Sequence, residues 1–282
     1  SSSSYYYYYY YYYYYYYYSY CTFTTKSWWT GTWPNISLSS FHSVEQQFYK
    51  PSDVELFQQR NLLPVHPVSK QVGPNDMDMK ATGEGSLDIQ FLMGMAPNIS
   101  TWYVYLPNGP NQDTDPFLEW VILLMLLPNP PHINSISYGD DEYSLSSRYM
   151  LRTGDEFLRF TSSGHTLFFS SGDYGVACHD NQFVAHFPSS CPYVTSVGGT
   201  VIFTDPDTGK PVTAEEGISF SGGGFSFTFP QPSFQVRTPR PIRYSPKKNL
   251  SLSLPMSLFS INVPSSLSEF WGWLLLGELS ST

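Results

Sequence analysis

The chain has 282 residues, 41% of them apolar, enough for one large or two small domains around a hydrophobic core. Its 14 basic and 23 acidic residues leave a net charge of −9 and no basic stripe to follow a phosphate backbone, which argues against a nucleic-acid partner. No apolar stretch reaches the roughly 20 residues of a membrane span, and no charged segment followed by an apolar one opens the sequence, so neither a bilayer helix nor a signal peptide is legible.

Residues 1–43 form an unassigned, low-complexity segment. Residues 5–18 are an unbroken tyrosine run, and no packed element requires identical aromatics on every face. The run reads as disordered, or alternatively as an association-prone tail. Apolar spacing over 44–49 and 53–57 predicts helix, with Pro51 and Ser52 marking a break and a new start. Residues 61–82, with Pro64, Pro67 and Pro74, read as loop, and a helix carrying Glu84 follows. Residues 98–106 are strand-like, 117–127 form a buried helix, and 132–138 form a short strand. A long helix is expected over 142–160, with Leu145, Tyr149, Phe157 and Phe160 on its buried face. Residues 166–170 are a continuous buried strand, and 193–203 a strand interrupted at Gly198-Gly199. Strands separated by helices imply an α/β fold with a mostly parallel sheet and helices on both faces. Residues 236–282 show neither period and read as a disordered tail foreign to that pattern.

Glu84 and Asp88 stand at i and i+4, so their carboxyl groups share one helix face, where like charges couple their titrations. The plainer reading is a solvated acidic first turn favoured by the helix dipole. Asp173 follows the buried strand inside Gly172-Asp173-Tyr174-Gly175, at the edge where open α/β folds bind ligands. An aspartate beside glycine also serves as a simple turn former. Cys21, Cys178 and Cys191 lack metal-ligand spacing with histidine, and their odd number leaves at least one unpaired within the chain. Glycosylation triplets occur at Asn35, Asn98 and Asn249. No histidine accompanies a Gly-x-Ser-x-Gly elbow or a His-Glu-x-x-His pair, so His165 and His186 read as surface or satisfied framework residues.

Four motifs occur in one order: Leu87-Asp88-Ile89-Gln90-Phe91, Ser137-Tyr138-Gly139-Asp140-Asp141-Glu142, Ser170-Ser171-Gly172-Asp173 and Pro192-Tyr193-Val194-Thr195-Ser196-Val197-Gly198-Gly199-Thr200. In this the sequence resembles the sedolisin family of serine-carboxyl peptidases. The resemblance implies a subtilisin-like α/β fold, incomplete on its C-terminal side, with residues 44–235 as a partial catalytic domain. It assigns Glu84 as the base that deprotonates a serine, Asp88 as its orienting partner and Asp173 as the acid on the oxyanion side. Ser221, Gly222, Gly223 and Gly224 would shape a wall near the substrate, and Asn98 would carry a glycan. The family's serine, in a Gly-Thr-Ser motif, and its calcium-binding loop have no counterpart in these residues, so no cofactor is expected, and Cys178 would lack its family partner. The implied activity is removal of tripeptides from free N-termini of peptide or protein substrates, at acidic pH in the lysosome. A carboxylate base suits such a pH, where an imidazole base would be protonated and idle. The alternative is a non-catalytic remnant that binds peptides or a partner.

Overall fold

The computed structural model describes residues 37–42, 47–75, 82–107, 116–176, 178–179, 182–183, 185–205, 207–208 and 211–235. The tyrosine run, Cys21, Asn35, Asn249 and the 236–282 tail lie outside the described residues. Two compact units divide the chain, Ser1–Tyr105 and Leu106–Thr282.

In the first unit the chain runs through β1 (Ser37–His42), α1 (Pro51–Arg60), β2 (Lys70–Val72), α2 (Gly83–Met95) and β3 (Ser100–Tyr105). Parallel ladders join β3 to β1, from Ser37 opposite Ser100 to His42 opposite Tyr105, and to β2, from Lys70 opposite Trp102 to Val72 opposite Val104. Thr101 through Tyr105 are all buried, as expected of a strand covered on both faces. Helix α1 opens on Pro51, whose missing N–H is harmless at the first helical position. Its buried Gln58 donates to His66 O and accepts from His66 N–H, each at 3.1 Å, which fastens the following loop. Phe48, Tyr49, Val54, Ile89, Met93, Tyr103 and Tyr105 make the core, with ring centroids 5.3 Å apart for Phe48–Tyr105 and 5.0 Å for Tyr49–Tyr103.

Three expectations need correction here. Residues 44–46 of the expected first helix lie outside the described residues, and 47–50 are not helical. Their backbone groups are taken elsewhere: Tyr103 Oη donates to Gln47 O, Thr82 N–H to Phe48 O, and Asn75 pairs with both backbone groups of Tyr49. Strand β2 lies within the expected loop; among the described residues it pairs with β3 alone, and Lys70 lies 3.8 Å over the Trp102 ring. Strand β1 falls in the segment that the sequence leaves unassigned, where buried Ser39 and Ser40 stand in for bulkier strand formers.

The second unit contains α3 (Phe117–Leu126), β4 (Ile133–Ile136), β5 (Asp140–Asp141), α4 (Ser147–Ser162), β6 (Thr166–Ser170), β7 (Cys178–His179), β8 (Gln182–Phe183), β9 (His186–Phe187), β10 (Thr195–Val197), β11 (Thr200–Thr204) and β12 (Pro211–Gly217). Strand β6 pairs in parallel with β4 and β10. Short antiparallel pairs are β5 with β9, β7 with β8 and β11 with β12. Phe117 and Trp120 meet Phe169 edge-on at 5.9 and 6.2 Å, and Phe157 stacks on Phe187 at 6.3 Å, so aromatic faces fill this core. The long helix begins later than expected. Residues 142–144 form a 3₁₀ turn, Leu145 is extended, and Ser146 caps α4 by accepting from Tyr149 N–H at 3.2 Å. The break between β10 and β11 falls at Gly198-Gly199, as expected. With three parallel-paired strands in each unit and helices between them, the fold is α/β.

Candidate active site

Glu84 and Asp88 belong to the first unit. Thr82 caps α2, its hydroxyl accepting from Gly85 N–H at 3.2 Å, which fixes where the helix starts. Glu84 then falls in the first turn, where the dipole favours an acid, and Asp88 one turn later on the same face. Both are half-buried, and Asp88 Oδ2 is shielded from solvent. The buried side of the helix is Gly85, Ile89 and Met93. Gly85 packs so tightly that a Cβ would stand 2.8 Å from both Gln47 O and Phe48 O. The rotation of α2, and with it the direction of the acidic face, is therefore set by close packing at 47–48.

Asp173 belongs to the second unit, just past the carboxyl end of β6. Ser171 N–H extends the ladder by donating to Val197 O at 2.8 Å, and the chain then turns through Gly172 (φ 98°) and Gly175 (φ 65°). A side chain would be strained at both positions. Residues 218–222 lie along this turn: Gly175 N–H donates to Phe220 O and Gly222 N–H to Gly172 O, each at 2.7 Å. Ser221 Oγ accepts from Gly199 N–H at 3.0 Å and lies 3.3 Å from Ser171 Oγ. Ser221 and Gly222 thus support the Asp173 loop directly, while Gly223 and Gly224 are exposed.

Ser137, Gly139, Ser170, Gly172, Asp173, Tyr174 and His186 line a pocket of about 130 Å³ at the ends of β4 and β6. Asp173 itself is exposed. His186 reads in the sequence as a surface or satisfied framework residue, and it does have a partner, Asp141 Oδ1 at 3.0 Å from Nε2. It nevertheless also lines the pocket, which nothing in the local sequence signals. His165 fits its framework reading: its ring stacks on Phe160 at 4.2 Å and 4°, Nδ1 lies 2.9 Å from Pro131 O, and burial lowers its pKa.

Glu142 was also unassigned. It is 3% exposed and accepts from Ser190 Oγ (2.5 Å), Ser226 Oγ (2.6 Å) and Phe227 N–H (2.8 Å), tying three distant segments together. Asn98 is exposed at φ 70°, a conformation asparagine tolerates, with its N–H 3.3 Å from His66 Nε2. Burial pushes the Cys191 thiol up to about 12. Among the described residues no group of three His, Cys, Asp or Glu is arranged to hold a metal ion. None of the described helices is long and apolar enough to cross a membrane.

The α/β architecture matches that of Pseudomonas sedolisin, a serine-carboxyl proteinase solved in complex with two molecules of pseudo-iodotyrostatin, with a TM-score of 0.54 and 22% identity over 71% of this chain and 60% of that one. Tripeptidyl-peptidase 1 of Canis lupus familiaris is 43% identical over 197 residues, 67% of this chain and 34% of that protein; the Rattus norvegicus protein of the same name is 47% identical over 156 residues, 54% and 27% respectively. Tripeptidyl-peptidase 1 of Dictyostelium discoideum is 39% identical over 193 residues, so the likeness extends beyond animals. Over the matched segment the chain belongs to the sedolisin family of serine-carboxyl peptidases. It spans about a third of the length of the curated relatives it matches. No family model matches the chain.

Proposed function

We propose that residues 44–235 are a segment of a serine-carboxyl peptidase catalytic domain of the tripeptidyl-peptidase type, acting on the free N-termini of peptides and proteins in the lysosome. The observation that carries this reading is Asp173, on a glycine turn at the carboxyl end of β6 and in the wall of a pocket. In the proposed chemistry Glu84 removes the proton of a serine nucleophile, and Asp88 orients and shares protons with it. Asp173, as a neutral acid, donates to the developing oxyanion. Ser221 and Gly222 hold the Asp173 loop, and the exposed backbone of Gly223 and Gly224 meets the substrate. Asn98, exposed and in a tight turn, carries the glycan.

No Gly-Thr-Ser occurs in the 282 residues. We infer that these 282 residues taken alone do not supply the nucleophile, and losing that member of such a unit costs on the order of 10⁶ in kcat. This favours a second reading for the isolated polypeptide, peptide binding without turnover.

Two assays test these readings. The 282-residue polypeptide should release no tripeptides at acidic pH above a Glu84→Gln control. A chimera in which its matched segment replaces the corresponding part of the dog protein should be active, and lose about 10²-fold or more with Glu84→Gln or Asp173→Asn. An active chimera indifferent to both substitutions would end the assignment.

A further inference from the structure

The pocket beside Asp173 also contains His186, which has no part in the chemistry proposed above. It stands on β9 directly across from Asp141 on β5. Because a carboxylate only accepts, the 3.0 Å contact with Asp141 Oδ1 places the hydrogen of a neutral ring on Nε2. Nδ1 is then the free position. That edge turns toward Gly172: a Cβ there would lie 3.0 Å from Nδ1 and 3.1 Å from Cε1 of the ring. The Tyr174 ring stacks beside it at 6.3 Å, and only 11% of the His186 side chain is exposed, against 52% for Asp141.

Held this way, the ring changes what it offers with its charge. Neutral, it presents an acceptor at Nδ1; protonated, it presents a donor. The charged and titratable groups around it are Asp141 and Asp140 on β5, Asp173 and Tyr174 on the facing loop, and Glu142 beyond β5, whose carboxylate is already engaged by Ser190, Ser226 and Phe227. The pocket lining includes no lysine or arginine. Among the described lining residues, a protonated His186 is therefore the one that can supply a cation. A cavity of about 150 Å³ takes a molecule the size of benzene, so the 130 Å³ here has room for a carboxylate or amide group.

Resting on the peptidase reading, we propose that His186, held by Asp141, is a further ligand-facing residue of this pocket whose protonated ring gives an acceptor oxygen of a bound peptide, above all a carboxylate, an Nδ1–H donor beside Asp173. Its role is to position and select. A charge-assisted bond is about twice as strong as a neutral one, so a terminal carboxylate gains more than an amide. Once the ring loses its proton, the same carboxylate faces a lone pair in place of a donor, with Asp141 and Asp173 beside it. Binding then weakens as rising pH removes the ring's proton.

The test titrates triglycine and triglycine amide into the full 282-residue chain at pH 5 and pH 8, following the His186 Cε1–H signal by NMR. Triglycine should bind at least tenfold more tightly at pH 5, while the amide changes less than threefold. By reciprocity, saturating triglycine should move the ring's titration to higher pH by about one pH unit for a tenfold preference. His186→Gln keeps a donor that cannot titrate, and should reduce the pH dependence to less than threefold. A tenfold dependence that survives in His186→Gln, or a wild-type His186 signal that triglycine does not move at either pH, overturns the proposal. If His186→Gln does not fold, the wild-type titration with and without triglycine decides alone. Asp173→Asn separates the two readings. Loss of binding there with an unchanged pH profile in His186→Gln sinks only the histidine proposal. The converse result upholds His186 and removes Asp173 from the ligand site.

Discussion

Replacing Gly222 by alanine asks whether the Ser221–Gly224 run is what seats the Asp173 loop. The new methyl group would stand 1.9 Å from Ser171 O and 2.6 Å from its carbonyl carbon, backbone atoms that no rotamer change can clear. Carbon contacts settle near 3.5 Å, so the run must lift by more than about 1 Å. The 2.7 Å bond from Gly222 N–H to Gly172 O then opens, and the contacts of Ser221 Oγ with Gly199 and Ser171 loosen. One or two lost hydrogen bonds at about 1 kcal/mol each, with about 1–3 kcal/mol of overpacking, give an expected destabilisation of about 2–4 kcal/mol. Gly223→Ala is the matched control, because a Cβ there meets nothing within 4 Å, and it should stay within about 0.5 kcal/mol of wild type. Urea midpoints and amide hydrogen exchange read the result: Gly222→Ala should lower the midpoint and speed exchange at residues 175 and 222 at least about tenfold. Equal midpoints and unchanged exchange in the two variants would show that the run does not support the loop.

Glu142→Gln should cost about 2–4 kcal/mol in denaturant unfolding, because an amide cannot accept from Ser190, Ser226 and Phe227 at once; a loss below about 0.5 kcal/mol would mean the three bonds do not act together. Cys191, 1% exposed and with its thiol raised to about 12, should resist alkylation at pH 8 in the native chain and react after denaturation, as read by peptide mapping at that residue. The unfolded chain gives up that proton first, so the contribution of Cys191 to stability is complete below the ordinary thiol range and is lost as pH rises toward 12. His165 has the opposite sign: its lowered pKa favours the neutral ring in the fold, so its contribution is present above the ordinary imidazole value and is lost as pH falls through the lowered one. Unfolding midpoints measured between pH 7.5 and 4.5 should fall more in wild type than in His165→Gln, and parallel curves would refute this.

Helix α2 was legible because its signal is local: the Glu84–Asp88 spacing and the buried Ile89 and Met93 lie within three turns. The Asp173 loop was legible for a similar reason, a run of buried residues ending at glycine. What escaped depends on distant partners. Strand β1 is serine-rich and becomes a strand only by pairing with β3, and the backbone of 47–49 leaves helix because Tyr103, Thr82 and Asn75 claim it. Glu142 and His186 stand on or beside two-residue strands, too short for any period to show. Ser190, a partner of Glu142, is 48 residues away, and His186 meets Asp141 only through the antiparallel pairing of β5 with β9.

The two groups of carboxylates are fixed by different means, and this bears on how each responds to change. Glu84 and Asp88 are aimed by a helix whose rotation depends on Gly85 against residues 47–48 and on Ile89 and Met93 in the first unit's core. Asp173 is aimed mainly by backbone: Ser171 bonded to Val197, Gly172 to Gly222 and Gly175 to Phe220, with the Ser221 hydroxyl beside that of Ser171 and the His186 ring against Gly172. Backbone hydrogen bonds between glycine-rich segments do not depend on side-chain volume, so hydrophobic substitutions elsewhere in the second unit should leave the loop's shape largely intact while shifting global stability. A Cβ on the loop's own contact residues does the reverse, because it acts where the two backbones touch. The glycines of this segment are therefore required by contact distance as much as by φ: Gly172 and Gly175 need both, whereas Gly222 needs only the space.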